Sequence, residues 1–281
     1  VRTITDAIAH RGPDGAGFHF EPGVGLGHRR LAIIDVAGGK QPIFNEDGSV
    51  SLVYNGEIYN YHELIPELIA AGHTFKTKCD AEVVVHAWEQ WGPDCVSRFR
   101  GMFAFALHDT RQDCLFLARD RLGKKPLYYT TVDNREIVFA SEMKALLAHP
   151  SVRRQIDPFA VDNYLAYGYV PDPATIYRNI RKLPPAHHWS VVRGNPTLAP
   201  RRYWDLKFDP RPIRESDAKA RLAAKLAEAS KIRLMSEVPL GAFLSGGVDS
   251  SGVVAMMARE LEMPVKTFTI GFGNHATDEL A

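Results

Sequence analysis

The stretch that most limits what this chain can fold into runs from Leu240 to Glu260. An apolar run, Leu240-Gly241-Ala242-Phe243-Leu244, stops at Ser245-Gly246-Gly247, and an apolar-periodic segment with Val253, Val254, Met256 and Met257 follows. That order reads as strand, glycine turn, helix. Glycines let backbone amides approach an oxyanion closely, and the first N–H groups of a helix point at it with the favourable end of the dipole. The expected guest is a phosphate. The loop has no lysine and lacks the GxxxxGK[ST] spacing, so it is not an ordinary P-loop. A second strand is expected over Val265 to Phe272, and strand, helix, strand implies a parallel sheet. A glycine-rich turn of some other α/β domain is the alternative.

The preceding two hundred residues follow a different pattern. Val50 to Tyr54, Met102 to His108, Cys114 to Ala118, Leu127 to Thr131 and Ile137 to Ala140 read as strands rich in aromatic and β-branched residues. One helix is expected after an Asn60 N-cap, with Leu64, Leu68 and Ile69 buried, Gly72 as its stop and Pro66 awkwardly inside it. Another follows Asp80, with Val83, Val84, Ala87 and Trp88 inward and Gly92-Pro93 ending it. Strands and helices without regular βαβ alternation indicate an α+β layer domain. The proline-rich stretch from Leu183 to Pro212 reads as a domain exit and linker, and a helix from about Ser216 carries Leu222, Leu226, Ala229 and Ile232 on one face. The expected division is therefore residues 1–203, a linker over 204–215, and 216–281.

Composition excludes several classes. With a formal net charge of +1, no basic run and no apolar stretch long enough to span a bilayer, the sequence argues against nucleic acid and membrane as partners and for small-molecule chemistry. Cys79, Cys95 and Cys114 form neither a disulfide framework nor a metal set, which fits a reducing, cytoplasmic setting. The chain starts at Val1 without methionine and stops soon after a second strand, so it reads as cut at both ends.

The loop Ser245-Gly246-Gly247-Val248-Asp249-Ser250-Ser251 resembles the pyrophosphate loop of ATP pyrophosphatases, the family that includes asparagine and GMP synthetases. The runs His10-Arg11-Gly12-Pro13-Asp14, His28 to Asp35, Tyr54 to Asn60 and Cys79-Asp80-Ala81-Glu82 resemble a class II glutamine amidotransferase domain. Arg100 to Phe103, Ala118-Arg119-Asp120 with Gly123 to Tyr129, and Ser141 to Lys144 extend that likeness along nearly the whole chain. Together they resemble a glutamine-hydrolysing asparagine synthetase. The resemblance implies an N-terminal-nucleophile-type αββα sandwich, followed by the start of a parallel-sheet domain of the adenine-nucleotide α-hydrolase type. It implies ATP and Mg²⁺ as cofactors, glutamine, ATP and aspartate as substrates, and leaves a homodimer open. The nucleophile it implies is an N-terminal cysteine lying upstream of Val1. The run Tyr169 to Tyr177 also resembles amidotransferases of polysaccharide and exported-protein loci, whose acceptors differ, and a non-catalytic glutamine-binding homologue is a further alternative.

Residue by residue, the resemblance places the glutamine site on Arg30, Leu31, Ala32, Ile33, Ile34, Asn55, Gly56, Glu57 and Asp80. Arg30 offers a planar fork to the α-carboxylate, although Arg29 beside it makes a surface role as credible from the residues alone. Asp80 and Glu57 would receive the ammonium; an aspartate just before a helix is equally a plain N-cap. An asparagine amide next to a glycine N–H supplies the two donors that a tetrahedral oxyanion needs, making Asn55 and Gly56 the oxyanion hole. Asn-Gly is equally a strong hairpin-turn signal. The nucleotide site falls on Leu244, Ser245, Gly246, Gly247, Val248, Asp249, Ser250, Ser251 and Ile270, with Asp249 holding Mg²⁺. Structural roles are expected for all three cysteines, and no catalytic role is assigned to His10 or His28.

Overall fold

The computed structural model describes residues 1–133, 135–194 and 199–271, which fall into two units, Val1–Leu206 and Lys207–Ala281. In chain order the first unit comprises α1 (Arg2–Asp6), β1 (Gly15–Glu21), β2 (Val24–Arg30), β3 (Ile43–Phe44), β4 (Val50–Ile58), α2 (Tyr61–Ala70), α3 (Glu82–Trp91) and α4 (Cys95–Arg98). It continues with β5 (Gly101–Asp109), β6 (Cys114–Arg119), β7 (Tyr128–Val132), β8 (Glu136–Ala140), α5 (Met143–Leu146), α6 (Pro158–Tyr167), β9 (Ile180–Lys182), β10 (His187–Val192) and β11 (Arg201–Arg202). The second unit holds α7 (Glu215–Lys231), β12 (Gly241–Phe243), α8 (Val248–Glu260) and β13 (Lys266–Phe268).

Six strands in the order β11-β10-β6-β5-β4-β3 form the main antiparallel sheet, with β1-β2 and β8-β7-β9 as separate small sheets. β4 over Val50–Tyr54 and β5 over Phe103–Asp109 are buried without alternation, because both of their faces are covered. One face packs on helices: Trp88 of α3 stacks obliquely on Phe116 at 4.6 Å, and Phe99 meets Phe103 edge-on. The other face, through Val53, Ala104, Ala106, Leu117 and Trp189, packs on Leu26 of β2 and on Tyr129, Ile137 and Phe139 of β7 and β8. A third apolar layer, with Val138, Ala145 and Leu146 buried against Ile4 and Ile8, seats α1 and α5 outside those strands. Helices, sheet, strands, helices is the αββα sandwich that the resemblance implies.

Several details differ from the sequence reading. Asn55 and Gly56 lie inside β4, opposite Ala104 and Phe103, so they are not a hairpin turn. A Cβ on Gly56 would strike the Met102 carbonyl and come within 2.7 Å of Phe103 Cα, so only glycine permits this strand pairing. Ala81, not Asp80, takes the N-cap position of α3, while Val83, Val84, Ala87 and Trp88 are buried as expected. Ile69 is exposed, since the inward stripe of α2 runs through Tyr61, Leu64 and Leu68. Asn60 holds the N-cap position of α2 as expected, but its side chain does not cap the helix; it donates to the Arg98 carbonyl and accepts from Arg100 N–H. The stretch read as linker from Leu183 contributes β10, which pairs with β6 in the main sheet despite its prolines. The hairpin β1-β2 was not foreseen; its Pro22-Gly23 turn, with Gly23 at φ +78, was the available signal.

In the second unit β12 and β13 are parallel, with α8 between them in sequence, as expected. Phe272, the end of the anticipated second strand, lies outside the described residues. Leu222 is exposed and Leu226, Ala229 and Ile232 only half-buried; of the apolar face of α8, Met257 alone is buried. Two described strands cover too little of these helices to exclude water from whole faces.

Acidic side chains fasten the loops of the first unit. Asp120, 1% exposed, accepts backbone N–H bonds from Phe103, Leu122, Lys124 and Lys125 at 3.0–3.2 Å. Arg119 donates to the carbonyls of Gly123, Lys125 and Leu183 and to Asp172. Asp120→Ala strands four amides near the site and is expected to lower the unfolding free energy by about 2–4 kcal/mol, read by chemical denaturation.

Candidate active site

β2, β4 and the loops 31–41 and 79–80 converge on one cavity of about 250 Å³. Arg30, Leu31, Ile33, Ile34, Asn55, Gly56, Glu57 and Asp80 all line it. Of the nine residues singled out for glutamine, only Ala32 is not on its wall; its N–H donates to Asp14 Oδ2 at 2.9 Å. That bond, with Asp14 N–H to the Arg30 carbonyl at 3.0 Å, docks the HRGPD run on the end of β2. Arg11 and Ser141 also line the cavity, and Arg11 and His10 both reach Glu142 at 3.1 Å, so two further runs meet here.

Asn55 carries the most telling feature. Its Nδ2 is buried and hydrogen-bonds to nothing in the protein, next to Gly56 on the cavity wall. An orphaned buried donor is uncommon in a folded chain, and one beside a cavity is what a preorganised anion site looks like without its anion.

The cavity wall carries side chains of both charges. Arg30 donates to the carbonyls of Val36 at 2.8 Å, Asp35 at 2.6 Å and Ile34 at 3.3 Å, so its guanidinium shapes the 31–39 loop as well as facing the cavity. Asp80 Oδ2 accepts from Tyr54 Oη and from Ile58 N–H, both at 2.8 Å. Burial nevertheless dominates, and the carboxyl is held above its usual range. A cationic group brought beside it would relieve that desolvation. The Tyr54 phenol is raised as well, first by burial and then by the Asp80 charge.

The sequence reading did not anticipate Tyr54, Gln41 or the fixed tautomer of His28. Gln41 pairs with β4 through its side chain, accepting from Tyr54 N–H at 2.7 Å and donating to the Tyr54 carbonyl at 3.0 Å. His28 Nε2 donates to the same carbonyl at 3.0 Å, leaving Nδ1 buried without a partner. Burial lowers the His28 pKa to about 4, against the opposing pull of the Tyr54 carbonyl and with help from Arg30. A Gln ahead of a strand carries no sequence signal for such a role.

Cys79 lines the cavity, but burial and then the Asp80 charge push its thiol up to about 12. Burial likewise raises Cys95 and lifts Cys114 to about 11, so none of the three offers a thiolate at neutral pH. All three are free and buried.

In the second unit, Gly246 at φ +80 turns the chain from β12 into α8, and Gly247 is the N-cap. Ser250 Oγ donates to the Gly247 carbonyl at 3.2 Å and lies 3.1 Å from Ser245 Oγ, bracing the loop. Leu244 N–H donates to Phe268 and the Leu244 carbonyl accepts from Thr269 Oγ1, pinning the loop's entry to β13 just before Ile270. Val248 and Asp249 are exposed in the first turn, where helix amides have no intrahelical acceptor, and Ser251, also exposed, donates its N–H to the Gly247 carbonyl at 3.1 Å.

Comparison with known proteins agrees with this geometry. Residues 1–204 match the family described as glutamine amidotransferase domain, and residues 221–281 match that described as asparagine synthase. The chain is 37% identical over 280 residues to asparagine synthetase [glutamine-hydrolyzing] 1 of Bacillus subtilis, covering all of this chain and 44% of that protein. It is 38% identical over 295 residues to putative asparagine synthetase [glutamine-hydrolyzing] 2 of Methanocaldococcus jannaschii, covering 97% of this chain and 56% of that one. Among solved structures, glutamine phosphoribosylpyrophosphate amidotransferase from B. subtilis superposes with a TM-score of 0.52 at 18% identity, over 95% of this chain and 62% of that one, which shows the fold. The fold and cavity thus define a glutamine amidotransferase domain of the N-terminal-nucleophile type. The chain belongs to the glutamine amidotransferase family matched by residues 1–204, carries an asparagine synthase match over residues 221–281, and spans about half the length of the curated asparagine synthetases it matches. No described helix is long and apolar enough to cross a membrane.

The His28 shift gives a prediction with a definite sign. Because its folded pKa lies below the ordinary value, the unfolded chain binds the extra proton first, and stability falls as pH drops from about 6.5 towards 4. His28→Gln is expected to remove up to roughly 3 kcal/mol of that pH-dependent loss relative to wild type, read from denaturant midpoints across that window.

Proposed function

We propose that the first unit hydrolyses glutamine and that the ammonia amidates a carboxylate activated as an acyl-adenylate on the second, with aspartate as acceptor and AMP and pyrophosphate released. The observation that carries the glutaminase reading is the unpartnered Asn55 Nδ2 beside Gly56, in a cavity that also presents a guanidinium and a desolvated carboxylate. Arg30 takes the substrate α-carboxylate, Asp80 and Glu57 take the ammonium, and loop 31–34 lies along the backbone of the amino acid. A thiolate adds to the side-chain carboxamide carbon, and the resulting O⁻ accepts from Asn55 Nδ2 and Gly56 N–H. The proton that the thiol gave to the chain's own α-amine passes to the departing nitrogen, so collapse expels ammonia and leaves a thioester, which water hydrolyses to glutamate and the free thiol. The nucleophile is a cysteine ahead of Val1, a reading supported by the raised pKa of every cysteine within residues 1–281.

In the second unit the first-turn amides of α8 and the hydroxyls of Ser245, Ser250 and Ser251 suit the pyrophosphate of ATP, with Leu244 and Ile270 flanking the nucleotide. Gly247 leaves room for this, since a Cβ there would meet nothing closer than Ser245 Oγ at 3.6 Å. Asp249, exposed at the loop, would hold Mg²⁺, whose charge offsets that of the departing phosphates.

Three experiments on the whole protein test these assignments. Asn55→Ala is expected to lower glutamine-dependent kcat by about 10²–10³-fold with little change in KM, while ammonia-dependent synthesis survives. An equal loss with both nitrogen sources would refute the oxyanion role. Arg30→Ala and Asp80→Asn should each raise KM for glutamine at least tenfold and leave KM for ammonia unchanged, because ammonia has neither end of the amino acid. Labelled pyrophosphate should exchange into ATP with aspartate present, and Asp249→Ala should abolish that exchange with either nitrogen source; ADP as product would sink the adenylation reading.

A further inference from the structure

A second cluster of chemically capable side chains lies away from the cavity, and none of its members lines it. Glu46, between β3 and β4, His73, in the loop after α2, and His86 and Glu89 of α3 bring one ligand atom each within 4.8 Å of all the others. His86 Nδ1 is 3.5 Å from Glu46 Oε2 and 3.7 Å from Glu89 Oε2, and His73 Nδ1 is 3.7 Å from Glu46 Oε1 and 3.8 Å from Glu89 Oε2. His86 is 1% exposed, and both of its ring nitrogens are buried without a hydrogen bond, as is Glu89 Oε2.

These separations are the informative quantity. A histidine paired with a carboxylate closes to about 2.7–2.9 Å when it hydrogen-bonds. Ligands on a tetrahedral ion with bonds of about 2.0–2.2 Å stand roughly 3.3–3.6 Å apart, because the tetrahedral edge is about 1.6 bond lengths. At 3.5–3.8 Å the four histidine–carboxylate separations are too long for hydrogen bonds and stand at, or a few tenths of an ångström beyond, the upper end of the tetrahedral range, so the side chains need close only slightly on an ion. Each carboxylate also has its other oxygen occupied from outside: Glu89 Oε1 accepts from Asn45 Nδ2 at 2.8 Å and Arg111 at 3.1 Å, and Glu46 Oε1 accepts from Thr74 N–H at 2.7 Å. That leaves Glu89 Oε2 facing both histidines and Glu46 Oε2 facing His86, while Glu46 Oε1 stands between Thr74 N–H and His73 Nδ1. Behind His86, Nε2 faces Glu82 Oε1 at 3.6 Å. Glu82 is itself fixed by N–H bonds from Lys76 and Thr77, so a held carboxylate stands behind the imidazole, within a small shift of the hydrogen bond that orients a metal-bound histidine.

We propose that Glu46, His73, His86 and Glu89 form a closed structural site for a divalent transition ion of the Zn²⁺ class, bound through both histidine Nδ1 atoms and one oxygen of each carboxylate. Two imidazoles and two carboxylates match that class, and four protein ligands leave no position for substrate. The ion fastens α3 to the β3–β4 segment and to the loop after α2. Since the 79–80 loop leads directly into α3, the site braces the segment that carries Asp80.

The test uses the whole protein, stripped with chelator and dialysed against Zn²⁺ or Co²⁺ alone. One ion per chain is expected, with the intense visible absorption of four-coordinate Co²⁺ and a rise in Tm on adding Zn²⁺. His73→Gln and Glu46→Gln, at the more accessible end of the cluster, should each weaken binding at least 100-fold and abolish the Tm rise, while their metal-free melts match that of stripped wild type. Failure of the stripped wild type to bind either ion stoichiometrically, a six-coordinate cobalt spectrum, or wild-type affinity in both variants would overturn the site. If a variant does not fold, the cobalt spectrum of the wild type decides by itself. Glutaminase activity is not the readout, so this result stands or falls apart from the proposed function.

Discussion

The first unit depends on one buried carboxylate. Asp80 sits between α3 and the main sheet, and a single oxygen receives both the Tyr54 hydroxyl and the Ile58 amide of β4. Those two bonds set how the chain enters α3 and where the 79–80 loop stands over the cavity. They do not cancel the desolvation of the charge, which is why the carboxyl stays above its usual range. A residue held rigidly by neutral donors and still short of positive charge suits an incoming ammonium. The same fact that strains the fold locally makes the position useful.

Acidic groups recur as ligands for backbone rather than as surface charge. Asp14 holds Ala32, Asp120 holds one amide of β5 and three of the loop after β6, and Glu82 holds Lys76 and Thr77. Loops of this length would otherwise bury amides without acceptors. Their carboxylates fix the geometry of a polar cavity inside a sandwich whose sheet is apolar on both faces. The Asn55 amide is left without such a partner, and its place on the cavity wall beside Gly56 gives it weight.

The second unit works differently. Its loop is organised by its own atoms, through Gly246 in the left-handed region and the Ser245–Ser250–Gly247 contacts, so most of its phosphate-binding character is local. Little of its apolar surface is buried among the described residues, in contrast to the closely packed αββα layers.

Much of this was legible in the residues. Strand positions from Val50 to Ala140, the buried stripe of α3, the parallel β12-β13 pair and the glycine loop all follow from periodicity and turn chemistry, which act over a few residues. The residues of the amidotransferase runs were legible as a set, and eight of the nine chosen for glutamine share one wall. Local pattern did not decide between two uses of the same residues. Asn55-Gly56 reads as a turn until the pairing with Ala104 and Phe103 makes it mid-strand, and Asp80 reads as a helix cap until Tyr54 and Ile58 claim it. Gln41 against Tyr54, and Glu46 with His73 and His86, are contacts between segments 13 or more residues apart and leave no periodic trace. Burial, and with it the shifted acidities of His28, Asp80 and Cys79, exists only once the layers close and water is gone. The sequence by itself determined which side chains the protein could bring to a site; the tertiary structure decided which of them lost their hydration, and therefore which stand ready to bind.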